Sequence, residues 1–130
     1  MVEFRCDHIH LRSPDPERTA RFYVDVLGAR DAGSVQARGA LRRMVELGGL
    51  NIFIEAVPDT TPSPPPAPFM GLEHVGFAVS DLDAAQAKLA AHGVSLLGAG
   101  IEQVRPGVRI AFIEGPERVR IEMIERKPTL

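Results

Sequence analysis

The segment HIHLRSPD, residues 8–15, recurs in the second half of the chain as HVGFAVSD, residues 74–81. Each copy leads into a predicted helix that ends near a glycine, so the chain contains an internal repeat. The repeat puts one histidine, His8 or His74, at the same place in each half. If the halves form one structure with approximate two-fold symmetry, the two imidazoles can converge on one point. Converging histidines are a common start of a metal site.

The first half is predicted to contain one helix and four strands. Asp15 followed by Pro16 is typical of a helix N-terminus, and Gly28 can take the left-handed conformation that ends the helix. Gly48-Gly49 is predicted as the turn of a hairpin. The predicted strands span about 4–11, 29–36, 41–47 and 50–57.

The second half repeats this order. Asp81 is predicted to cap the helix and Gly93 to end it. The predicted strands span 72–79, 94–98, 108–114 and 119–124. Each half is therefore a βαβββ module, and the predicted fold class is α+β.

A proline-rich segment over 58–68 separates the two halves. Proline fits neither a helix interior nor a central strand, so this segment is predicted to be a stiff, extended linker. Module one then spans 1–57 and module two 69–130, within a single domain over 1–130. A lone module of this size leaves a sheet face uncovered, so the modules are expected to pair within a chain or between chains. We expect a homodimer.

Composition excludes several classes of protein. The chain has 130 residues, a net charge of −2 and no basic field for phosphate backbones, so nucleic acid is not an expected partner. It has neither a secretory signal pattern nor an apolar run long enough to span a bilayer, so no membrane is expected and the protein is predicted to be cytoplasmic. The lone cysteine, Cys6, excludes an internal disulfide and is expected to be buried.

Several short motifs together resemble the vicinal-oxygen-chelate superfamily, which includes glyoxalase I, methylmalonyl-CoA epimerase, extradiol dioxygenases, and fosfomycin and bleomycin resistance proteins. These motifs are HxxL at 8–11, FYxxVLG at 22–28, GxxHVxFxVxD at 71–81, IAFIxGP at 110–116 and IEMIE at 121–125. The resemblance covers nearly the whole chain. It implies paired βαβββ modules whose sheets form a curved surface that encloses a metal and substrate cavity.

The resemblance places metal ligands at His8, His74 and Glu122. Because side chains alternate along a strand, the face of His74 carries only the small residues Gly76 and Ala78, which leave room for a substrate. Glu122 has apolar neighbours, and a carboxylate in a buried setting is costly unless a cation offsets its charge.

The fourth ligand has two candidates. The distance along the chain from His74 to Glu122 nearly equals that from His8 to Glu55, which favours Glu55 as a ligand and as a possible catalytic base. Counting from the hairpin turns instead puts Phe53 in this slot. With Phe53 the site reduces to two histidines and one carboxylate, which suits Fe(II). With Glu55 the site has two histidines and two carboxylates, a chemically harder set of donor atoms.

His10 and Arg12 share the face of His8. His10 is a candidate proton shuttle, with a packing or supporting role as the alternative. Arg12 matches the position where glyoxalases carry an arginine that holds a glutathione carboxylate, which is consistent with an anionic substrate.

The resemblance therefore implies a metal-dependent enzyme, a glyoxalase-like lyase or isomerase similar to lactoylglutathione lyase. A divalent cation (Zn, Ni, Co, Mn or Fe) would chelate two neighbouring oxygens of a small substrate. It would stabilise the enediolate formed when Glu122 or Glu55 removes a proton. The alternatives are an Fe(II) extradiol-type dioxygenase and a metal-free protein that sequesters small molecules, as bleomycin resistance proteins do.

Overall fold

The computed structural model describes residues 1–129. The chain divides into two compact units, Met1–Ser63 and Pro64–Leu130, and the division falls inside the segment predicted as a linker. The first unit contains strands β1 His8–Ser13, β2 Arg30–Ala37, β3 Ala40–Leu47 and β4 Leu50–Ala56, with helix α1 Pro16–Arg21 continuing as a π-helical turn, Phe22–Val26.

The second unit has the same order of elements. Its helix α2, Leu82–Ala91, follows the first strand, and a short 3₁₀ turn, Pro116–Arg118, joins the last two. The strands are β5 Val75–Ala78, β6 Glu102–Arg105, β7 Val108–Glu114 and β8 Arg120–Arg126.

Each unit forms one four-stranded sheet. The order is β1-β4-β3-β2 in the first unit and β5-β8-β7-β6 in the second. The first strand of each unit runs parallel to the last, and the other neighbours are antiparallel. The predicted α+β class with two βαβββ modules is confirmed.

Local capping chemistry starts and ends the helices as predicted. The Asp15 carboxylate accepts from the Arg18 backbone N–H, and Asp81 accepts from that of Ala84. Gly28 and Gly93 follow the helical segments at φ values of 78° and 74°, a left-handed conformation that favours glycine. No helix within residues 1–129 is long and apolar enough to cross a bilayer.

One face of each sheet is buried and the opposite face is open. The alternation of strand side chains puts the core on the buried face, where the first unit holds Tyr23, Val45, Ile52 and Ile54, and the second holds Leu82, Leu89, Ala111, Ile113, Ile121 and Met123. Contacts of α1 with β3 and β4, and of α2 with β7 and β8, show that the helices cover this face. The open faces therefore remain available for chemistry, and they carry the candidate site residues except His74, which directly precedes β5 because this strand is shorter than the predicted 72–79.

Two predictions about the elements are wrong. Strand β1 begins at His8 rather than residue 4, and the residues before it, including Cys6, are exposed rather than buried. The chain over 94–98 forms no strand. This segment makes one backbone hydrogen bond to β7, from the Leu97 N–H to the Phe112 carbonyl. The chain then turns at Gly98 and Gly100, whose φ values are positive, so β6 starts only at Glu102.

Each unit also contains a charge cluster around one buried residue, Arg43 or Glu125, that the sequence did not reveal. In the first unit, Arg43 binds Asp31 of β2 and Glu17 of α1. In the second, Arg109 binds Glu125 of β8 and Asp83 of α2. Both arginines therefore tie the first turn of a helix to its sheet.

Candidate metal centre

The open face of the first unit places three predicted site residues side by side. Nε2 of His10 lies 2.8 Å from Oε1 of Glu55, and Nε of Arg12 lies 3.5 Å from the same oxygen. The hydrogen bond from His10 is the main cause that holds the pKa of Glu55 below its ordinary value, and the Arg12 charge adds to it. Glu55 is therefore an anion engaged by a histidine and an arginine.

His8 lies on the same face but has different neighbours. Its Nδ1 is 2.5 Å from Oδ2 of Asp7. Its ring stacks on Phe53, with centroids 4.1 Å apart and planes 23° apart. The other ring nitrogen, Nε2, is the atom of His8 available to bind a ligand.

Strand register decides which residue of β4 is the counterpart of Glu122. In the first unit His10 pairs with Phe53, and in the second Gly76 pairs with Glu122. His10 and Gly76 are equivalent, since each lies two residues after the repeated histidine. Phe53 is therefore the counterpart of Glu122.

The prediction from chain spacing that Glu55 is the counterpart of Glu122 is wrong. Counting from a histidine to the last strand crosses every intervening loop, and these loops differ in length between the units. Glu55 pairs with Arg12 instead, one step further along the same face than Phe53. Its role as a metal ligand stays a prediction.

The second unit brings two candidate ligands together. Nε2 of His74 lies 3.7 Å from Oε2 of Glu122, and the Glu122 side chain is only 18% exposed. Gly76 lies beside this pair, and a Cβ added there would make an ordinary van der Waals contact with Oε1 of Glu122 at 3.5 Å. An imidazole nitrogen and a carboxylate oxygen that face each other in this way are a donor pair suited to a divalent transition metal.

Glu73 also contacts His74, although the sequence did not single it out as a candidate site residue. Its Oε2 lies 2.6 Å from Nδ1 of His74, and its Oε1 lies 3.2 Å from Nε of Arg120. The signal was present in the sequence, because each repeated histidine directly follows an acidic residue, Asp7 or Glu73.

A pocket of about 210 Å³ opens beside Glu73 and Arg120 in the second unit. Proline and phenylalanine side chains from residues 64–69 line it, together with Leu97 and Arg118. The second unit thus has room for a small molecule next to the residue that contacts His74.

Across residues 1–129 the structure shows no group of three or more His, Cys, Asp or Glu side chains able to hold a metal ion. Each unit taken by itself supplies some of the predicted metal ligands. The first unit supplies His8, and the second supplies the pair of His74 and Glu122. The nitrogen and oxygen donors that are present match a borderline divalent cation in type.

Comparison with known proteins agrees with the resemblance seen in the motifs. The family model described as "Glyoxalase/Bleomycin resistance protein/Dioxygenase superfamily" matches residues 7–112. The chain belongs to this superfamily. It is also 30% identical over 124 residues to the uncharacterized protein YaeR of Escherichia coli K12, a match that covers 92% of this chain and 94% of YaeR.

Two solved structures share the fold at low identity. Fosfomycin resistance protein FosX of Listeria monocytogenes, complexed with Mn(II) and sulfate, matches with a TM-score of 0.69 and 17% identity over 98% of this chain and 95% of FosX. TnmS3, an antibiotic binding protein from Streptomyces sp. CB03234, matches with a TM-score of 0.73 and 20% identity over 98% of this chain and 99% of TnmS3. The shared scaffold thus carries both a Mn(II) complex and an antibiotic binding protein.

Proposed function

We propose that this protein is a metal-dependent enzyme of the superfamily, a glyoxalase-like lyase or isomerase that acts on a small substrate with two neighbouring oxygens. The proposed ligands are His8 from the first unit and His74 and Glu122 from the second. The observation that carries the proposal is the His74 and Glu122 pair, whose Nε2 and Oε2 atoms face each other at 3.7 Å beside Gly76.

The remaining site residues fit proton transfer and substrate binding. When bound, a divalent cation supplies Lewis-acid polarisation of the substrate oxygens. The proposed proton acceptor is the carboxylate of Glu55 or Glu122; Glu55 is ionised, but its lowered pKa makes it a weaker base than a free glutamate, and His10, 2.8 Å from it, is the proposed proton shuttle. Arg12 is 67% exposed on the same face and binds an anionic group of the substrate.

The donor set supports this proposal more than the overall fold does. Two imidazoles and one carboxylate leave positions free for substrate oxygens, as a catalytic metal requires. FosX, which shares the fold, was solved with Mn(II), so the scaffold can accommodate such an ion.

We further propose a homodimer. The ligands come from two units, and these act together either within one chain or between the two chains of the dimer. Each unit has an open sheet face, and pairing covers it.

One observation favours a second function, an Fe(II) dioxygenase of the extradiol type. Phe53 is the counterpart of Glu122, so the set reduces to two histidines and one carboxylate. That arrangement is typical of non-haem Fe(II) oxygenases and leaves positions open for oxygen.

Metal content and turnover test both proposals. Purified protein is analysed for bound elements, stripped with a chelator and titrated with Mn(II), Fe(II), Co(II), Ni(II) and Zn(II). The loaded forms are then assayed with hemithioacetals and, in an oxygen electrode, with catechols.

We expect stoichiometric binding of one cation per chain and turnover of a hemithioacetal. Oxygen consumption with a catechol would favour the dioxygenase. Binding of no cation would contradict both and leave a small-molecule binding protein.

A further inference from the structure

In both units an acidic residue directly precedes the candidate histidine and contacts its Nδ1 atom. The distances are 2.5 Å from Asp7 Oδ2 to His8 and 2.6 Å from Glu73 Oε2 to His74. An ionised carboxylate has no proton to donate, so the imidazole Nδ1–H is the donor in both pairs. The same local arrangement therefore occurs twice, at the two positions related by the repeat.

The two carboxylates are not held equally well. The second oxygen of Glu73 lies 3.2 Å from Nε of Arg120, an ion pair without hydrogen-bond geometry, so both an imidazole and a guanidinium attract this carboxylate. Asp7 is 83% exposed, compared with 58% for Glu73. The contact to His74 should therefore persist more of the time than the contact to His8.

Arg120 also contacts His74 indirectly, through the Phe112 ring. The Arg120 guanidinium lies over the Phe112 ring, 4.3 Å from its centroid. The Phe112 ring in turn meets the His74 ring edge to face, with centroids 5.2 Å apart. His74 is thus held on one side by an anion and on another by an aromatic ring, and Arg120 connects these two supports.

We propose that Glu73 is the positioning residue of His74, with Arg120 fixing the Glu73 carboxylate. Because Nδ1 carries the proton in this contact, the lone pair of neutral His74 lies on Nε2, the atom that faces Glu122. Asp7 acts in the same way, and more weakly, on His8. Binding of a cation by this lone pair rests on the proposed function. The tautomer of His74 is independent of that proposal.

The tautomer can be read in metal-free protein. Full-length chain labelled with ¹⁵N-histidine is examined by NMR at about pH 9, where model imidazoles are neutral. The signals of His74 are identified by their loss in His74→Gln. We expect the Nδ1–H tautomer in wild type and a shift towards the Nε2–H tautomer in Glu73→Ala. Glu102→Ala, which removes an exposed glutamate of the same unit, is the control and should leave the spectrum of His74 unchanged.

Metal affinity gives an independent measurement. Free Mn(II) is followed by electron paramagnetic resonance during titration of each variant. Loss of a carboxylate that orients a histidine ligand typically weakens metal binding about 10- to 100-fold, and we expect this loss for Glu73→Ala. Arg120→Gln and Asp7→Ala should each cause a smaller loss. Glu73→Asp should restore most of the affinity, because Asp7 shows that an aspartate in this position reaches Nδ1.

The outcomes separate this inference from the proposed function. An Nε2–H tautomer of His74 in wild type, or equal Mn(II) affinity of wild type and Glu73→Ala, would overturn the role of Glu73. If wild type binds none of the tested cations, the proposed function fails, and the NMR comparison alone decides whether Glu73 fixes the ring. Urea unfolding of each variant shows that the compared proteins are folded.

Discussion

The His8 imidazole stacks on the Phe53 ring, with centroids 4.1 Å apart and planes inclined by 23°. Phe53 is the counterpart of Glu122, so the repeat places an aromatic ring in one unit where the other has a carboxylate. The ring supports one face of His8 but supplies no donor atom. The proposed cation is therefore expected to have one carboxylate ligand rather than two.

This arrangement predicts the effect of removing each proposed ligand. His8→Ala, His74→Ala and Glu122→Ala should each abolish stoichiometric metal binding, because a three-ligand site cannot hold its ion well with two ligands. His8 and Glu122 lie on open sheet faces and His74 directly precedes β5, so the variants should remain folded. Elemental analysis of the purified proteins measures the effect, and Glu102→Ala serves as the control. Full occupancy in either histidine variant would rule out the proposed site.

Glu55→Gln separates a metal ligand from a proton acceptor. Since Glu55 pairs with Arg12 and binds His10, we expect metal affinity to stay unchanged in this variant. Turnover should fall by about 100-fold or more, because the amide cannot accept the substrate proton.

Metal titration of wild type and Glu55→Gln, followed by single-substrate kinetics, measures both quantities. A clear loss of metal affinity in Glu55→Gln would instead show that Glu55 is the fourth ligand. In that case the sequence spacing, rather than the strand register, would have identified the site.

Local signals in the sequence were sufficient for most of the fold. Asp15, Asp81 and the paired glycines Gly48-Gly49 act through bonds and backbone angles within a few residues, so their structures follow from short motifs. The segment 94–98 was misassigned because its composition suits a strand, whereas Gly98 and Gly100 turn the chain before a ladder can form.

The site was only partly predictable for a different reason. The histidines and Glu122 were found because the repeat and the family motifs mark them. The choice between Phe53 and Glu55 depends on strand register, which is set by pairing across the sheet and cannot be counted through loops of unequal length. The contact of Glu73 with His74 joins sequence neighbours and could have been predicted from the acidic residue before each repeated histidine, whereas the role of Arg120 depends on contacts between residues distant in sequence.

We expect a homodimer at micromolar concentration, because each unit leaves one sheet face open and small modules are stabilised by covering such a face. Sedimentation equilibrium over a range of protein concentrations measures the mass in solution. A monomer at every concentration would contradict the dimer and require the units to act within a single chain.

Acid sensitivity follows from the ion pair of the buried Glu125 in the second unit. Glu125 is 2% exposed, and its hydrogen bonds from Arg109 and from the Leu82 backbone lower its pKa to about 2. A carboxylate whose pKa is lower in the folded than in the unfolded chain stabilises the fold above the unfolded pKa. That contribution is lost as the pH falls through the folded pKa. The free energy of unfolding should therefore decrease between about pH 5 and pH 2.

Glu125→Gln tests this origin of the acid sensitivity. The variant should be less stable than wild type at pH 7, because Arg109 loses its charged partner. The difference between the two proteins should shrink as the pH falls towards 3, since only wild type carries the titrating group. Asp31 in the first unit, whose pKa is also lowered to about 2, titrates in both proteins and leaves a residual slope. Urea unfolding at several pH values measures the free energies, with Glu102→Gln as control. A difference that is the same at pH 3 and pH 7 would show that Glu125 stabilises the fold by packing rather than by charge.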